Sequence, residues 1–249
     1  MSGNYHFEDF TELNYKRILD LISCNYNAIF YTEYKNHGKN ILLRHDVDVS
    51  VHRAHRLAQI ESETNIHSTF FLWMHCPNYN IFEEEVYTLI NRIRNLGHEI
   101  GLHFDFGFYE RQGLDHDMII EYLSIEKKIL EEIFGKSIRV FSFHDPSNEV
   151  LARYTDESYC GMINAYSKYL KDHYDYCSDS NGYWRYHRLE DVLVKADCEK
   201  LQVLLHPEWW VPEAMSPRER ISRCIDGRCR KNHERYDTML EKAGRLNVR

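Results

Sequence analysis

Strand-like and helix-like stretches alternate along most of this chain, and that alternation limits the fold more than any other feature. Strand patterns fall at Ala28–Tyr34, Ile41–Asp48, His67–Trp73, Glu99–Phe104, Arg139–His144 and Leu201–Leu205, with shorter ones at Gly161–Ala165 and Tyr174–Cys177. Between them lie segments whose apolar residues recur at helical spacing. One is Phe82–Leu96, with Val86, Leu89, Ile90 and Ile93 on one side and Gly97 beyond its end. Others are the segment begun by Ser50, Asp115–Phe134 closed by Gly135, and Leu189–Ala196. A capping box at Asp9–Glu12 opens the first helix, and one at Ser216–Glu219 opens a last helix running to about Ala243. Such alternation specifies an α/β fold with a parallel sheet covered by helices, closed or open.

In both forms the working groups gather at the carboxyl ends of the strands. Four of the predicted strands end in groups able to bind metal or carry protons: Asp46 and Asp48, His103 with Asp105, His144 with Asp145, and His206. A single histidine at a strand end is more often a hydrogen-bonded structural residue. Four such ends out of roughly seven point to a site. Asp46 and Asp48 are two residues apart and share a face of their strand. Like charges held that close need a cation or a shared proton, or else Asp48 or Ser50 simply caps the next helix. His45 falls on the opposite face and reads as structural.

Composition narrows the function classes. The 249 residues carry a net charge of -8, which argues against a broad nucleic-acid surface. No apolar run is long enough to span a bilayer, and Met1–Asp9 is polar, so a cytoplasmic protein is expected. Seven scattered cysteines fit free thiols in a reducing compartment. With no linker, repeat or low-complexity segment, residues 1–249 read as a single catalytic domain.

The runs Ser68–Phe71, Gly97–His103 and Leu204–His206, with the acids Asp46 and Asp48, resemble in order and spacing the polysaccharide deacetylase superfamily (NodB homology, carbohydrate esterase family 4). The likeness extends from about Ile41 to His206. It implies a NodB-like distorted (β/α) barrel of about seven parallel strands. It also implies Asp46 as catalytic base, His206 as general acid, and Asp48 and His103 as metal ligands. The chain departs from the family pattern in three places. Val47 separates the usually adjacent acids, Gly107 stands where a second motif histidine belongs, and His144-Asp145 replaces an arginine that tethers the base. His144 is the first candidate for the missing ligand and Asp105 the second. Asp179, Trp184 and Arg185 loosely match the fourth motif and are expected at the substrate, with Arg185 as a possible tether. Trp209 and Trp210 offer a platform for a sugar ring, or else pack against the last helix.

The resemblance therefore implies a metal-dependent hydrolase, a deacetylase removing an N-acyl group from an amino sugar. The divalent ion would be Zn²⁺ first, with Mn²⁺, Co²⁺, Ni²⁺ and Fe²⁺ also compatible with Asp and His. A cytoplasmic location favours an activated or lipid-linked precursor of a surface glycan, such as lipopolysaccharide, over finished polymer. Two competing readings are a hydrolase of another C–N bond, such as a formamide or cyclic amide, and a carbohydrate-binding relative without turnover.

Overall fold

Among the described residues, eight of the nine strands form one continuous path in a single sheet, and the strand that carries the acids lies inside it. The computed structural model describes residues 5–184 and 186–248. The strands are β1 (Asn27–Ala28), β2 (Asn40–Val47), β3 (Thr69–Trp73), β4 (Glu99–Phe104), β5 (Val140–Phe143), β6 (Ser158–Tyr159), β7 (Met162–Asn164), β8 (Asp175–Ser178) and β9 (Lys200–Leu205). The helices are α1 (Glu12–Asn25), α2 (Val51–Glu63), α3 (Glu84–Asn95), α4 (Phe106–Arg111), α5 (His116–Phe134), α6 (Asn148–Arg153), α7 (Lys168–His173), α8 (Leu189–Lys195) and α9 (Pro217–Lys242).

The sheet order is β6-β7-β5-β4-β3-β2-β9-β8, with β1 paired to the start of β2. Every pairing is parallel except β6 with β7. The path thus holds seven parallel strands, β7, β5, β4, β3, β2, β9 and β8, in a distorted, incompletely closed barrel. The α/β architecture is the one expected.

Strand parity sorts the side chains. Ile41, Leu43 and Val47 of β2, Phe70 and Leu72 of β3, and Leu201, Val203 and Leu205 of β9 face two apolar clusters shared with the helices. The alternate residues Leu42 and Phe71 pack with Tyr31, Tyr34, Val140, Ala165, Leu170 and Tyr174 in a third cluster on the opposite face. Gly101 lies beside Phe71 in the ladder. A Cβ on Gly101 would sit 2.6 Å from the Phe71 ring, so glycine is what lets that ring fill the inner face. Arg44 and Asp46 share the parity of Leu42 and lie above this apolar plug.

Two local expectations change. The first helix is capped by Thr11, whose Oγ1 accepts from the Asn14 amide at 3.2 Å. Asp9 is buried instead, with both oxygens taken by the Arg188 guanidinium at 2.6 Å. A buried carboxylate gains more from that bidentate cation than from helix amides. The strand expected at Ala28–Tyr34 stops at Ala28. A 3₁₀ turn over Tyr31–Glu33 then directs Tyr31 and Tyr34 into the inner cluster. The seven cysteines are free. Among the described residues no helix is long and apolar enough to cross a membrane.

On the outer face of β2, fully buried Glu61 of α2 accepts from His45 Nε2 at 2.6 Å, from Ser68 Oγ at 2.6 Å and from the Tyr15 hydroxyl. His98 closes the network, with Nδ1 accepting from the Ser68 amide and Nε2 donating to Ala58 O. Burial alone would raise the Glu61 carboxyl, but His45, His98 and Ser68 outweigh it and hold Glu61 below the ordinary carboxylate value. A depressed carboxyl adds stability above its unfolded-state pKa and loses it as pH falls through the folded value. Chemical denaturation between about pH 7 and about pH 3 should therefore show an acid-side loss that Glu61→Gln flattens. Parallel curves for the two proteins would mean that Glu61 contributes no such dependence.

Candidate active site

Period-two geometry carries five inner-face residues to the sheet rim: Asp46 from β2 and Asp48 just after it, His103 from β4, His144 just after β5, and His206 just after β9. His103 Nε2 lies 3.2 Å from Asp48 Oδ1 and 3.6 Å from Asp46 Oδ2. The ligand atoms of Asp48, His103 and His144 all fall within 4.8 Å of one another. His206 Nε2 approaches Asp48 Oδ2 at 3.7 Å from the other side.

Each group is held by neighbours. His103 Nδ1 is 2.7 Å from Ser142 Oγ, which leaves Nε2 turned toward Asp48. The His144 ring stacks on Trp73 with centroids 3.8 Å apart. The chain leaves the site through Asp145 at φ 39, a left-handed turn. The Asp48 carbonyl accepts from Cys76 Sγ at 3.2 Å and Asn78 Nδ2 at 3.1 Å.

Asp46 is held by Arg44 of the same strand, whose Nη2 donates to Asp46 Oδ2 at 3.0 Å and reaches the Tyr166 hydroxyl at 2.8 Å. Arg44 is wholly buried, and its guanidinium lies over the rings of Tyr166 and Phe71. His206 is held by Asp179. Nδ1 lies 2.7 Å from Asp179 Oδ1, the His206 amide donates to both oxygens at 3.1 Å, and Trp210 Nε1 donates to Oδ2.

The charges follow from this packing. Burial opposes ionisation of Asp48, but His103, His206 and His144 prevail and hold its carboxyl well below the usual range. Burial and His103 push His144 down against Asp48 and Asp105. Burial also opposes the His206 cation, yet the Asp179 hydrogen bond and charge push it up to about 10. Glu208, buried behind Pro207, is pushed up to about 8 by burial in spite of His206.

The donor set fits a divalent cation. Asp48 Oδ1 is buried and, although 3.2 Å from His103, has no hydrogen-bond partner in acceptable geometry. One carboxylate and two imidazoles are the ligands that zinc and its first-row neighbours take.

The structure brings His144, and not Asp105, into this group. Asp105 Oδ1 caps α4 through the Phe108 amide at 2.8 Å. Asp179 was expected at the substrate, but it is fully buried with both oxygens engaged, so it holds His206 instead. Trp184 lies away from the rim, stacked on Phe10 with its indole N–H on Asp9. Trp209 packs against Gly182, where a Cβ would approach the ring at 3.0 Å. Arg185 lies outside the described residues. Sequence reading missed Arg44, Ser142, Tyr166 and Glu208. Arg44 and Ser142 each precede a flagged residue by two, so strand parity was a usable signal for them.

These features define an α/β sheet with a carboxylate–imidazole cluster at its strand ends. No family model matches the sequence, and no curated protein matches it. The chain is similar in fold to a family 4 carbohydrate esterase from Bacillus anthracis, at 17% identity over 86% of this chain and 85% of that one, with a TM-score of 0.45. It is also similar to peptidoglycan deacetylase PdaC from Bacillus subtilis, at 14% identity over 83% and 97%, with a TM-score of 0.44. A third is a carbohydrate esterase family 4 pseudoenzyme from Bacillus anthracis, at 16% identity over 78% of this chain, with a TM-score of 0.39. The chain spans 61% of that pseudoenzyme and 64% of a mutant pseudoenzyme with restored activity.

Removing one member of a buried ion pair strands the other, at a cost of about 3–5 kcal/mol. Arg44→Met should lower unfolding stability by that order, and Asp46→Asn in the same chain should recover part of it. Urea denaturation of the two single variants and the double variant measures the coupling. Strict additivity would mean that Arg44 does not hold Asp46.

Proposed function

We propose that this protein is a metal-dependent hydrolase removing an N-acyl group, acetyl foremost, from an amino sugar or an activated sugar precursor used in surface-glycan assembly. The observation that carries the reading is the cluster of Asp48, His103 and His144 donor atoms, flanked by Asp46 and by His206. Asp48, His103 and His144 would hold the ion, zinc foremost. Bound there, a divalent ion supplies Lewis acidity to the scissile carbonyl and to the attacking water.

The chain's own groups account for the proton movements. Asp46 takes the proton from the attacking water, and the hydrogen bond from Arg44 fixes the direction of its carboxylate. His206 faces the site through Nε2, with Nδ1 anchored on Asp179. In its protonated form it gives that proton to the departing amine nitrogen. A positioned acid or base of this kind contributes roughly 10²–10⁴-fold. A pure binding protein has no use for a base and an acid gathered at one donor cluster. The whole chain, residues 1–249, serves as the catalytic unit in this reading.

Purified protein should contain a first-row metal by elemental analysis and release acetate from N-acetyl amino sugars. Asp46→Asn should keep the metal and lose about 10²–10⁴-fold in kcat. His103→Ala should lose both metal and turnover. Formate or another acid as product would move the reading to a different C–N bond. Undiminished turnover in Asp46→Asn would refute Asp46 as the base.

The hydrogen bond from His206 to Asp179 should matter through orientation. Asp179→Asn keeps the size of the side chain but removes the charge that favours protonated His206. It should lower kcat with little change in metal content. An unchanged kcat would remove His206 from the proposed proton path.

A further inference from the structure

A cavity of about 350 Å³ lies beside the rim, between the start of α2 and the inner side of α9. No cluster side chain lines it, but its near end adjoins the loop that carries Asp48. Val49 and Ser50, the two residues after Asp48, line it, and so does Asn78, whose amide holds the Asp48 carbonyl. A second opening of about 430 Å³ shares Val49, Asn78, Tyr79, Cys224 and Arg228 with the first, so the two form one groove along α9.

The cavity wall is cationic. Arg53, Arg223, Arg228 and Lys231 line it against a single lining carboxylate, Glu85. Glu85 is shared between His52 at 3.1 Å and Lys231 at 3.7 Å. Arg228 is paired with Glu83, and Arg53 with Glu12 and the Trp210 carbonyl. Arg223 is exposed and makes no ion pair among the described residues. Three of the four cations thus already face carboxylates, and Arg223 is the wall charge left for an incoming anion to meet.

Gly227 adds an independent observation. It sits inside α9, where glycine costs about 0.5–1 kcal/mol relative to alanine. No steric demand explains it, because a Cβ there would meet no atom within 4 Å. The missing side chain leaves that part of the cavity wall open, one helical turn after Arg223 and next to Arg228.

We propose that this cavity binds a phosphoryl group carried by the substrate, placing the acylated sugar at the neighbouring acid cluster. Guanidinium forks match phosphate oxygens bidentately. The volume suits a phosphate or diphosphate with part of what it bears. The substrate is then a phosphorylated amino sugar or a nucleotide-linked one. This rests on the hydrolase reading for its catalytic meaning, although anion binding at the cavity is a separate observable.

The test measures binding of inorganic phosphate to metal-loaded protein by ³¹P line broadening, in wild type, Arg223→Gln and Gly227→Leu. Leucine is a better helix former than glycine, so Gly227→Leu should fold while filling the cavity. Both variants should weaken phosphate binding by about tenfold or more, the scale of one charge-assisted hydrogen bond. Both should also lower the ratio of kcat/KM for N-acetylglucosamine 1-phosphate, or for its uridine diphosphate ester, to that for the unphosphorylated sugar. The better of those two substrates identifies the source of the phosphoryl group. Phosphate binding lost in both variants, with no acyl sugar turned over by wild type, upholds the anion site and refutes the hydrolase reading alone. Equal phosphate affinity in all three proteins, or none in any, overturns the inference whatever the turnover.

Discussion

The pairing of Arg44 with Asp46 on one face of β2 is the interaction on which the site depends. Both side chains are almost fully buried, so neither charge is stable without the other. The pair also fixes direction. Arg44 is anchored to the Tyr166 hydroxyl and lies over the Phe71 and Tyr166 rings, so the Asp46 carboxylate is pinned beneath the rim. On the other face of the same strand, His45 and Glu61 form a second buried charge network that locks β2 against α2. One eight-residue strand therefore carries polar ties on both faces, in a position where apolar contacts alone would let it shift.

The rim carries a graded set of charges. Asp48 is more acidic than usual because three imidazoles face it, whereas His206 is more basic because Asp179 backs it. Glu208 is driven the other way by burial and keeps its proton more readily. Carboxyl groups within one small region thus divide into an ionised acceptor and a group that resists ionising. Divergence of this kind is what acid–base chemistry at neutral pH requires.

Much of this was legible from residue order. The four strand ends bearing Asp46, Asp48, His103, His144 and His206 were readable because strand parity and the rule of carboxyl-end sites need no coordinates. Arg44 and Ser142 obey the same parity and were within reach. Tyr166 and Glu208 were not, since one lies in the loop after the short strand β7 and the other within the 3₁₀ turn Pro207–Trp209, where no period holds. Asp179 looked like a substrate group because its neighbours loosely match a motif. Its burial, and its two bonds to His206 and Trp210, depend on how β8 packs beside β9.

The amino-acid order by itself determined the α/β alternation, the apolar strands and the chemistry available at their ends. These are local consequences of side-chain period and residue type. Tertiary structure decided which groups meet. It brought His144 rather than Asp105 to Asp48, backed Asp46 with Arg44, and opened a cationic cavity between α2 and α9. Those choices depend on strand order, register and helix placement, which pair residues far apart in the chain and leave no periodic trace in it.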